Sequence, residues 1–308
     1  MHHICALTDM AVLTISGKDA GQFLQGQSTC DLLALTERQT TLGAFCNPKG
    51  RVIAVFRTFH AASVFYVLLP QSLAESLAKR LSMYILRADV HMEQATSQWR
   101  CFGLKDTDTP DLGVFGDIVP PDAIDGIVVI PSGFLIRLPA ASGTRHLLLT
   151  KVKGADSICK EAVTAGYQPI DRNDWALADI RCGIPQVVPA TTEEFVPQML
   201  NLDRLDGISF TKGCYTGQEI VARTHYLGTL KRAMFRLSCP LDAAPHPGQE
   251  IFLQGQAEQP IGQVLMAARN DRKLELLAVL NTVQAQAETI LLGSAEGPAL
   301  RLESLPYS

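Results

Sequence analysis

Residues 1–70 consist mainly of short apolar runs separated by polar turns, with the two-residue alternation typical of half-buried β-strands. This alternation predicts strands at residues 11–15, 40–46, 52–59 and 64–69. The tetrapeptide Asn-Pro-Lys-Gly at residues 47–50 is a strong turn sequence. We therefore expect the strands on either side of it to form a hairpin.

Other segments space their apolar residues at the helical period of about 3.6. A short helix is predicted after Asp19, and a longer one from Pro70, where Ser72 and Glu75 match a capping box. The longer helix is expected to bury Leu73, Leu77, Leu81 and Tyr84. Further helices are predicted from about residue 156 to 165 and from 173 to 182, each followed by a glycine that suits a helix end.

Residues 99–150 again form short strand-like runs, and together with the preceding elements they have the alternation of a ferredoxin-like half domain. The predicted fold class is therefore α+β. After Gly228 the apolar runs stay of strand length without a convincing helix, which indicates a small antiparallel barrel or sandwich. We divide the chain into an α+β region at residues 1–228 and a β domain at 229–308.

The chain has 308 residues, a net charge of -4 and a pI near 6.0, which argues against a surface built wholly for nucleic acid. No apolar run approaches the roughly 20 residues of a membrane span, and the N-terminus lacks the features of a signal peptide. We expect a cytoplasmic protein without membrane contact. The eight cysteines include no C-x-x-C pair, so no local metal ligand set is predicted.

The sequence KGCYTGQE at residues 212–219 carries the strongest chemical signal. Thr216 and Glu219 match a capping box, which places Cys214 just outside the N-terminus of a predicted helix. A helix N-terminus and the nearby Lys212 both favour a thiolate, so Cys214 is a candidate nucleophile or redox thiol. The alternative is a tight turn, permitted by Gly213 and Gly217, with a packed cysteine.

Trp175, on the predicted helix 173–182, has two possible roles. Most tryptophans pack in a core, but an indole ring can also offer a flat surface on which an aromatic heterocycle stacks. The polar segment at residues 25–29 leaves a similar choice, between a pocket lining and a hydrophilic loop.

With these residues in place, the chain resembles the YgfZ family of folate-binding proteins related to tRNA modification, which are relatives of the glycine cleavage T protein. The octamer at 212–219 is the most specific match, with LDGISF at 205–210 and VAR at 221–223 beside it. Looser matches are FLQGQSTCDL at 23–32, NPKGRV at 47–52 and DWALADIRCGIPQV at 174–187.

This resemblance implies two intertwined α+β lobes of the T-protein type around a central cavity, followed by an antiparallel β-barrel. It implies that tetrahydrofolate or a derivative binds in the cavity with Trp175 as the stacking residue, and that Cys214 is functionally central. The family resembles accessory factors for iron–sulfur proteins, such as the enzymes that thiolate tRNA. The supporting motif residues are Lys212, Gly213, Tyr215, Gly217, Gln218, Glu219 and Arg223.

The chain departs from the family pattern at one position and from the T protein at another. Some family members carry a second pocket tryptophan where this chain has Met10, and a thioether is a poorer stacking partner. The T protein uses an aspartate in the strand that here runs from Arg51 to Phe59, and this strand contains no carboxylate. The missing general base argues against aminomethyl transfer of the T-protein type.

Two other functions remain open from the sequence. One is folate-dependent one-carbon transfer to an unknown acceptor. The other is direct tRNA binding through the cations Lys212, Arg223, Lys231 and Arg232, which surround the octamer, although such clusters are more often a solvated face.

Overall fold

The structure is a computed structural model that describes residues 1–107, 112–115, 118–239, 245–255, 259–270, 273–286 and 289–307. The chain divides into two compact units. The first unit comprises residues 1–25, 31–42 and 56–175, and the second comprises residues 26–30, 43–55 and 176–308. Among the described residues, none of the helices has the length and apolar character needed to cross a membrane.

The strands before residue 170 are β1 (His2–Ala6), β2 (Met10–Ser16), β3 (Thr40–Cys46), β4 (Val52–Ala61), β5 (Val64–Pro70), β6 (His91–Gln94), β7 (Trp99–Asp106), β8 (Ile127–Ile130), β9 (Gly133–Leu138), β10 (Thr144–Lys151) and β11 (Gln168–Pro169). They form a six-stranded sheet in the order β11-β1-β7-β10-β9-β8 and a five-stranded sheet in the order β3-β4-β5-β2-β6. The helices are α1 (Ala20–Gln25), α2 (Gln71–Ser82), α3 (Val152–Thr164), α4 (Arg172–Cys182) and α5 (Gln218–Tyr226).

The core of the first unit follows the two-residue alternation of its strands. On β10, Leu147 and Leu149 belong to one buried cluster, whereas Leu148 belongs to a cluster on the other face of the sheet. The first cluster also contains both tryptophans, Trp99 and Trp175. Partly buried Met10, Tyr66 and Ile170 pack against it.

The second unit contains a closed barrel with the strand order β12-β15-β14-β13-β16-β17. Its strands are β12 (Arg232–Cys239), β13 (Glu250–Leu253), β14 (Gly262–Arg269), β15 (Leu274–Asn281), β16 (Ile290–Leu292) and β17 (Ala299–Glu303), all paired antiparallel. The predicted α+β class and C-terminal antiparallel barrel are therefore confirmed. The predicted domain boundary at residues 228 and 229 stays a prediction; residues 240–244, 256–258, 271–272, 287–288 and 308 of the predicted β domain lie outside the described residues.

Helix α2 starts after Pro70 as predicted, but the predicted capping box of Ser72 and Glu75 is wrong. The helix begins directly after β5, with Pro70 as the N-cap residue and without a side-chain capping bond. Ser72 lies inside the helix, because Pro70 already turns the chain from strand to helix. Leu73, Leu77 and Leu81 are buried as predicted, but Tyr84 is exposed beyond the helix end. The predicted helix 173–182 is confirmed as α4, with Gly183 in the left-handed conformation after it.

A buried ion cluster joins α4 to the barrel within the second unit. The Glu275 carboxylate, on β15, accepts hydrogen bonds from Arg181 at 2.6 Å and from Arg236 of β12 at 2.7 Å. Burial raises the pKa of Glu275, but the hydrogen bonds and charges of the two arginines outweigh it, so that this pKa lies below its ordinary value. The carboxylate is therefore ionised at neutral pH and pairs with both guanidinium groups.

We predict that Glu275→Gln lowers the free energy of unfolding by about 2–3 kcal/mol, because it leaves two partly buried cations without their counter-charge. Glu250→Gln, at an exposed position of the same barrel, serves as the control and should change stability by less than about 0.5 kcal/mol. Urea denaturation at several pH values measures both.

Because the pKa of Glu275 is lowered on folding, its contribution to the free energy of unfolding is complete above the ordinary carboxyl pKa. It is lost as the pH falls through the lowered value. An equal effect of the two variants at pH 7 would contradict this account.

Candidate functional site

The octamer forms a loop that leads into α5, and Lys212 anchors its first residues. The side chain of Lys212 is buried, at 8% exposure. Its Nζ donates hydrogen bonds to the backbone oxygens of Ser28 at 2.8 Å and Cys30 at 2.7 Å. A buried ammonium is tolerated only when it is hydrogen-bonded in this way. The lysine therefore ties the loop to the segment at residues 26–30.

The segment at residues 26–30 is itself part of this anchor. Ser28 and Thr29 are fully buried, and the Thr29 hydroxyl donates to the Gly207 backbone oxygen at 2.6 Å. Thr216 contacts the same segment, since its backbone N–H donates to the Gly26 oxygen at 3.2 Å. This polar segment is therefore a loop whose buried part is hydrogen-bonded to the octamer and its neighbours, and its role as a pocket lining stays a prediction.

Tyr215 packs the centre of the loop. Its ring lies under the ammonium of Lys212, with 5.1 Å between Nζ and the ring centroid. The side chain is buried, and this burial raises the pKa of its phenol, with smaller contributions from Cys46 and Cys30. The phenol is therefore neutral at physiological pH, and Tyr215 acts as a packing residue beside the exposed Cys214.

The N-cap residue of α5 is Gly217, with a φ of 87°, rather than the predicted Thr216. No side chain caps the helix. A side chain at this position would lie 2.5 Å from the Asn47 backbone oxygen, so both φ and space require glycine. The predicted capping box is wrong, because the Thr216 hydroxyl bonds Gln27 Oε1 at 3.2 Å and Glu219 bonds Arg223 at 2.7 Å.

Gly213 differs from Gly217. Its φ is not in the left-handed region, and a Cβ added there would meet nothing within 4 Å. Gln218 is the first residue of α5, and its N–H donates to the Tyr215 oxygen at 3.1 Å. Glu219 and Arg223 form an exposed i, i+4 ion pair on the helix surface.

Cys214 is the one exposed cysteine among the eight in the chain. Burial raises the pKa of Cys46 and of Cys101 to about 12, and that of Cys5 to about 11. These buried thiols stay protonated and inaccessible, whereas the Cys214 thiol meets solvent. Among the described residues, no group of three or more histidine, cysteine or acidic side chains is placed to hold a metal ion.

Trp175 lies in the first unit, in the first turn of α4. It is 2% exposed and covers Gly103 of β7, where an added Cβ would lie 2.4 Å from the indole ring. The guanidinium carbon of Arg145 is 4.2 Å from the ring centroid. Trp175 thus packs in the core here. The stacking of a heterocycle on it stays a prediction, and would require a neighbour to move off the ring.

Arg172, one helical turn before Trp175, is a candidate binding residue that the sequence reasoning missed. Its Nη2 donates to Asp9 at 2.7 Å, but its Nε and Nη1 atoms are buried without a hydrogen-bond partner. His3 Nδ1 is also buried and unpartnered. Buried donors of this kind are rare unless a ligand or water satisfies them. The sequence signal was the spacing of Arg172 and Trp175 on one helix.

The fold belongs to a known class. The chain is similar to the glycine cleavage system aminomethyltransferase T from Bartonella henselae, with a TM-score of 0.77 and 12% sequence identity, over 100% of this chain and 86% of that one. At this identity the likeness shows the fold alone. The class is therefore that of T-protein-like α+β proteins with a C-terminal barrel.

Sequence comparison then identifies the family. The chain is 32% identical over 316 residues to the tRNA-modifying protein YgfZ of Klebsiella pneumoniae (strain 342), over 99% of this chain and 93% of that protein. It is 29% identical over 307 residues to the protein of the same name from Colwellia psychrerythraea, with the same coverage. No protein-family model matches the chain. The chain belongs to the YgfZ family, which confirms the resemblance seen in the octamer.

We predict that Gly217→Ala lowers the free energy of unfolding by about 2 kcal/mol or more, because alanine is strained at this φ and its Cβ meets the Asn47 oxygen. Gly213→Ala is the matched control in the same loop and should cost less than about 0.5 kcal/mol. Thermal and urea denaturation measure both. Equal stabilities of the two variants would show that the loop is not held as described.

Proposed function

We propose that this chain supports tRNA modification, as the name of its relatives states for them, with Cys214 as its functional thiol and a tetrahydrofolate bound beside Trp175. The observation that carries the proposal is the display of Cys214. Its thiol is exposed, as is Gly213 before it, while Lys212 two residues earlier and Tyr215 directly after it are buried.

The loop around Cys214 is built to present a side chain rather than to bury it. Lys212 fixes the chain before the cysteine through the carbonyls of Ser28 and Cys30, and Gly217 fixes it afterwards against Asn47. An accessible thiol held in one position suits reaction with, or contact to, a group on another molecule. This arrangement supports an intermolecular role for Cys214.

Iron–sulfur proteins are the partner class that we propose for this thiol. Their clusters are held by cysteine thiolates, so a protein thiol can contact the same iron or sulfur atoms during assembly or repair. In this proposal the chain serves iron–sulfur enzymes such as those that thiolate tRNA. The chain then affects tRNA modification through the enzyme that it maintains.

The first unit contains hydrogen-bond donors that suit the binding of a tetrahydrofolate. Arg172 offers two buried, unpartnered guanidinium nitrogens, and His3 offers a third buried nitrogen. The charged donors of Arg172 suit the acceptor atoms and carboxylates of a folate. Trp175 would supply the aromatic surface once its ring is uncovered, and Met10 packs against the same cluster. When bound, the folate would supply one-carbon or reductive chemistry.

The role of the thiol is tested in bacteria that lack their own YgfZ-family protein, by mass spectrometry of thiolated tRNA nucleosides. We expect the wild-type chain to restore them and Cys214→Ala to fail, because the exposed thiol is lost while the buried anchors remain. Cys159→Ala is the matched control, since Cys159 is half-buried, and it should restore them as the wild type does. Full restoration by Cys214→Ala would exclude the thiol role.

Folate binding is tested by calorimetry and fluorescence. In the Trp99→Phe variant, Trp175 is the remaining tryptophan, so quenching by tetrahydrofolate reports directly on its ring. We expect saturable quenching in this variant and at least about 10-fold weaker binding in Arg172→Ala, since hydrogen bonds to charged groups contribute about 1.5–3 kcal/mol each. Retained affinity in both Arg172→Ala and Trp175→Phe would rule out this site.

A further inference from the structure

The C-terminal end of α5 carries an exposed aromatic cluster made of Phe210, His225, Tyr226 and Leu227. The rings of Phe210 and His225 are stacked, with centroids 3.7 Å apart and an interplanar angle of 14°. Tyr226 meets His225 edge-on at 4.7 Å and Phe210 at 6.3 Å. The stacked pair holds the His225 ring in one orientation at the surface.

The cluster is open to solvent. Tyr226 is 64% exposed and Leu227 is 85% exposed, and His225 is exposed as well. The ring contacts join half-buried Phe210 to the exposed His225 and Tyr226 in one patch, and the exposed Leu227 follows them in sequence. It lies in the second unit, on the helix that follows the Cys214 loop.

The sequence that follows the start of α5 is basic, in contrast to the chain as a whole. The sequence from residue 220 to 241 contains Arg223, Lys231, Arg232 and Arg236 but no acidic residue, whereas the chain has a net charge of -4. Arg236 is bonded to Glu275, and Arg223 to Glu219. Lys231 and Arg232 are exposed and follow Leu227 in sequence after residues 228–230. The nearby acidic residues in sequence are Asp203, Asp206, Glu219 and Asp242.

We propose that this aromatic and basic surface binds unpaired nucleotides of an RNA. Exposed rings stack on bases, and the cations beside them contact phosphates; this combination is typical of single-strand RNA recognition. A protein partner would need apolar area but not this local excess of cations. The inference rests on the proposed role in tRNA modification and deepens it, since it makes contact with the RNA direct. Lys212, expected from the sequence to contribute, is buried and takes no part.

Fluorescence anisotropy with a labelled RNA stem–loop tests the stacking. We expect Tyr226→Ala to bind about 5-fold to 150-fold more weakly, which corresponds to the 1–3 kcal/mol of one base stacked on a ring. Tyr226→Phe keeps the ring and should bind as the wild type does. Tyr84→Ala is the matched control, because Tyr84 is an exposed tyrosine in the first unit. A fully paired duplex of the same stem should bind more weakly than the stem–loop.

The same assay at about 50 to 200 mM salt tests the cations. Replacing Lys231 and Arg232 by alanine removes two phosphate contacts, so the slope of log affinity against log salt should fall by about 1.4. The double variant Lys79→Ala and Arg80→Ala, an adjacent Lys–Arg pair at the end of α2, is the matched control and should keep the wild-type slope.

Restoration of thiolated tRNA in cells separates the possible outcomes. If the wild-type chain restores thiolation but binds no RNA, or if Tyr226→Ala binds RNA as well as the wild type, this inference is overturned and the proposed function stands. If Tyr226→Ala loses thiolation without any change in RNA binding, the surface serves a protein partner and the inference is also overturned. If the wild-type chain restores no thiolation, the proposed function itself fails.

Discussion

The buried ammonium of Lys212 is the interaction on which the octamer loop depends. Removal of a charge from water is costly, and the carbonyls of Ser28 and Cys30 compensate for it only while all three groups keep their positions. The two carbonyls belong to a chain segment far from the lysine in sequence. The octamer therefore forms one structural unit only in the folded protein, where it is hydrogen-bonded to residues 26–30.

This constraint explains why so few of the octamer residues can act on another molecule. Lys212, Tyr215 and Gly217 have structural roles, respectively as ion anchor, core side chain and helix start in the left-handed conformation. They leave one reactive group, Cys214, at the surface. The other thiols are half-buried or buried, and burial raises the pKa of several of them. The fold thus selects one thiol out of eight by access.

The two units place different chemistry in different settings. In the first unit, Arg145 lies against the buried ring of Trp175, and the buried, unpartnered nitrogens of Arg172 are costly unless a ligand satisfies them. In the second unit, aromatic rings stand in solvent beside Lys231 and Arg232, a surface on which large flexible ligands can bind without displacing a core. We therefore propose small-molecule binding in the first unit and macromolecular contact in the second.

The spacing of apolar residues was enough to predict the strand and helix positions, because this spacing is set within each element. Strand β3 is observed at the predicted residues, and the antiparallel strands after Gly228 close into a barrel. The missing side-chain caps of α2 and α5, the partners of Lys212 and the exposure of Cys214 came from the tertiary structure. The stacking of His225 on Phe210 was decided in the same way. These features depend on which distant residues occupy the surrounding space, and no local pattern encodes that.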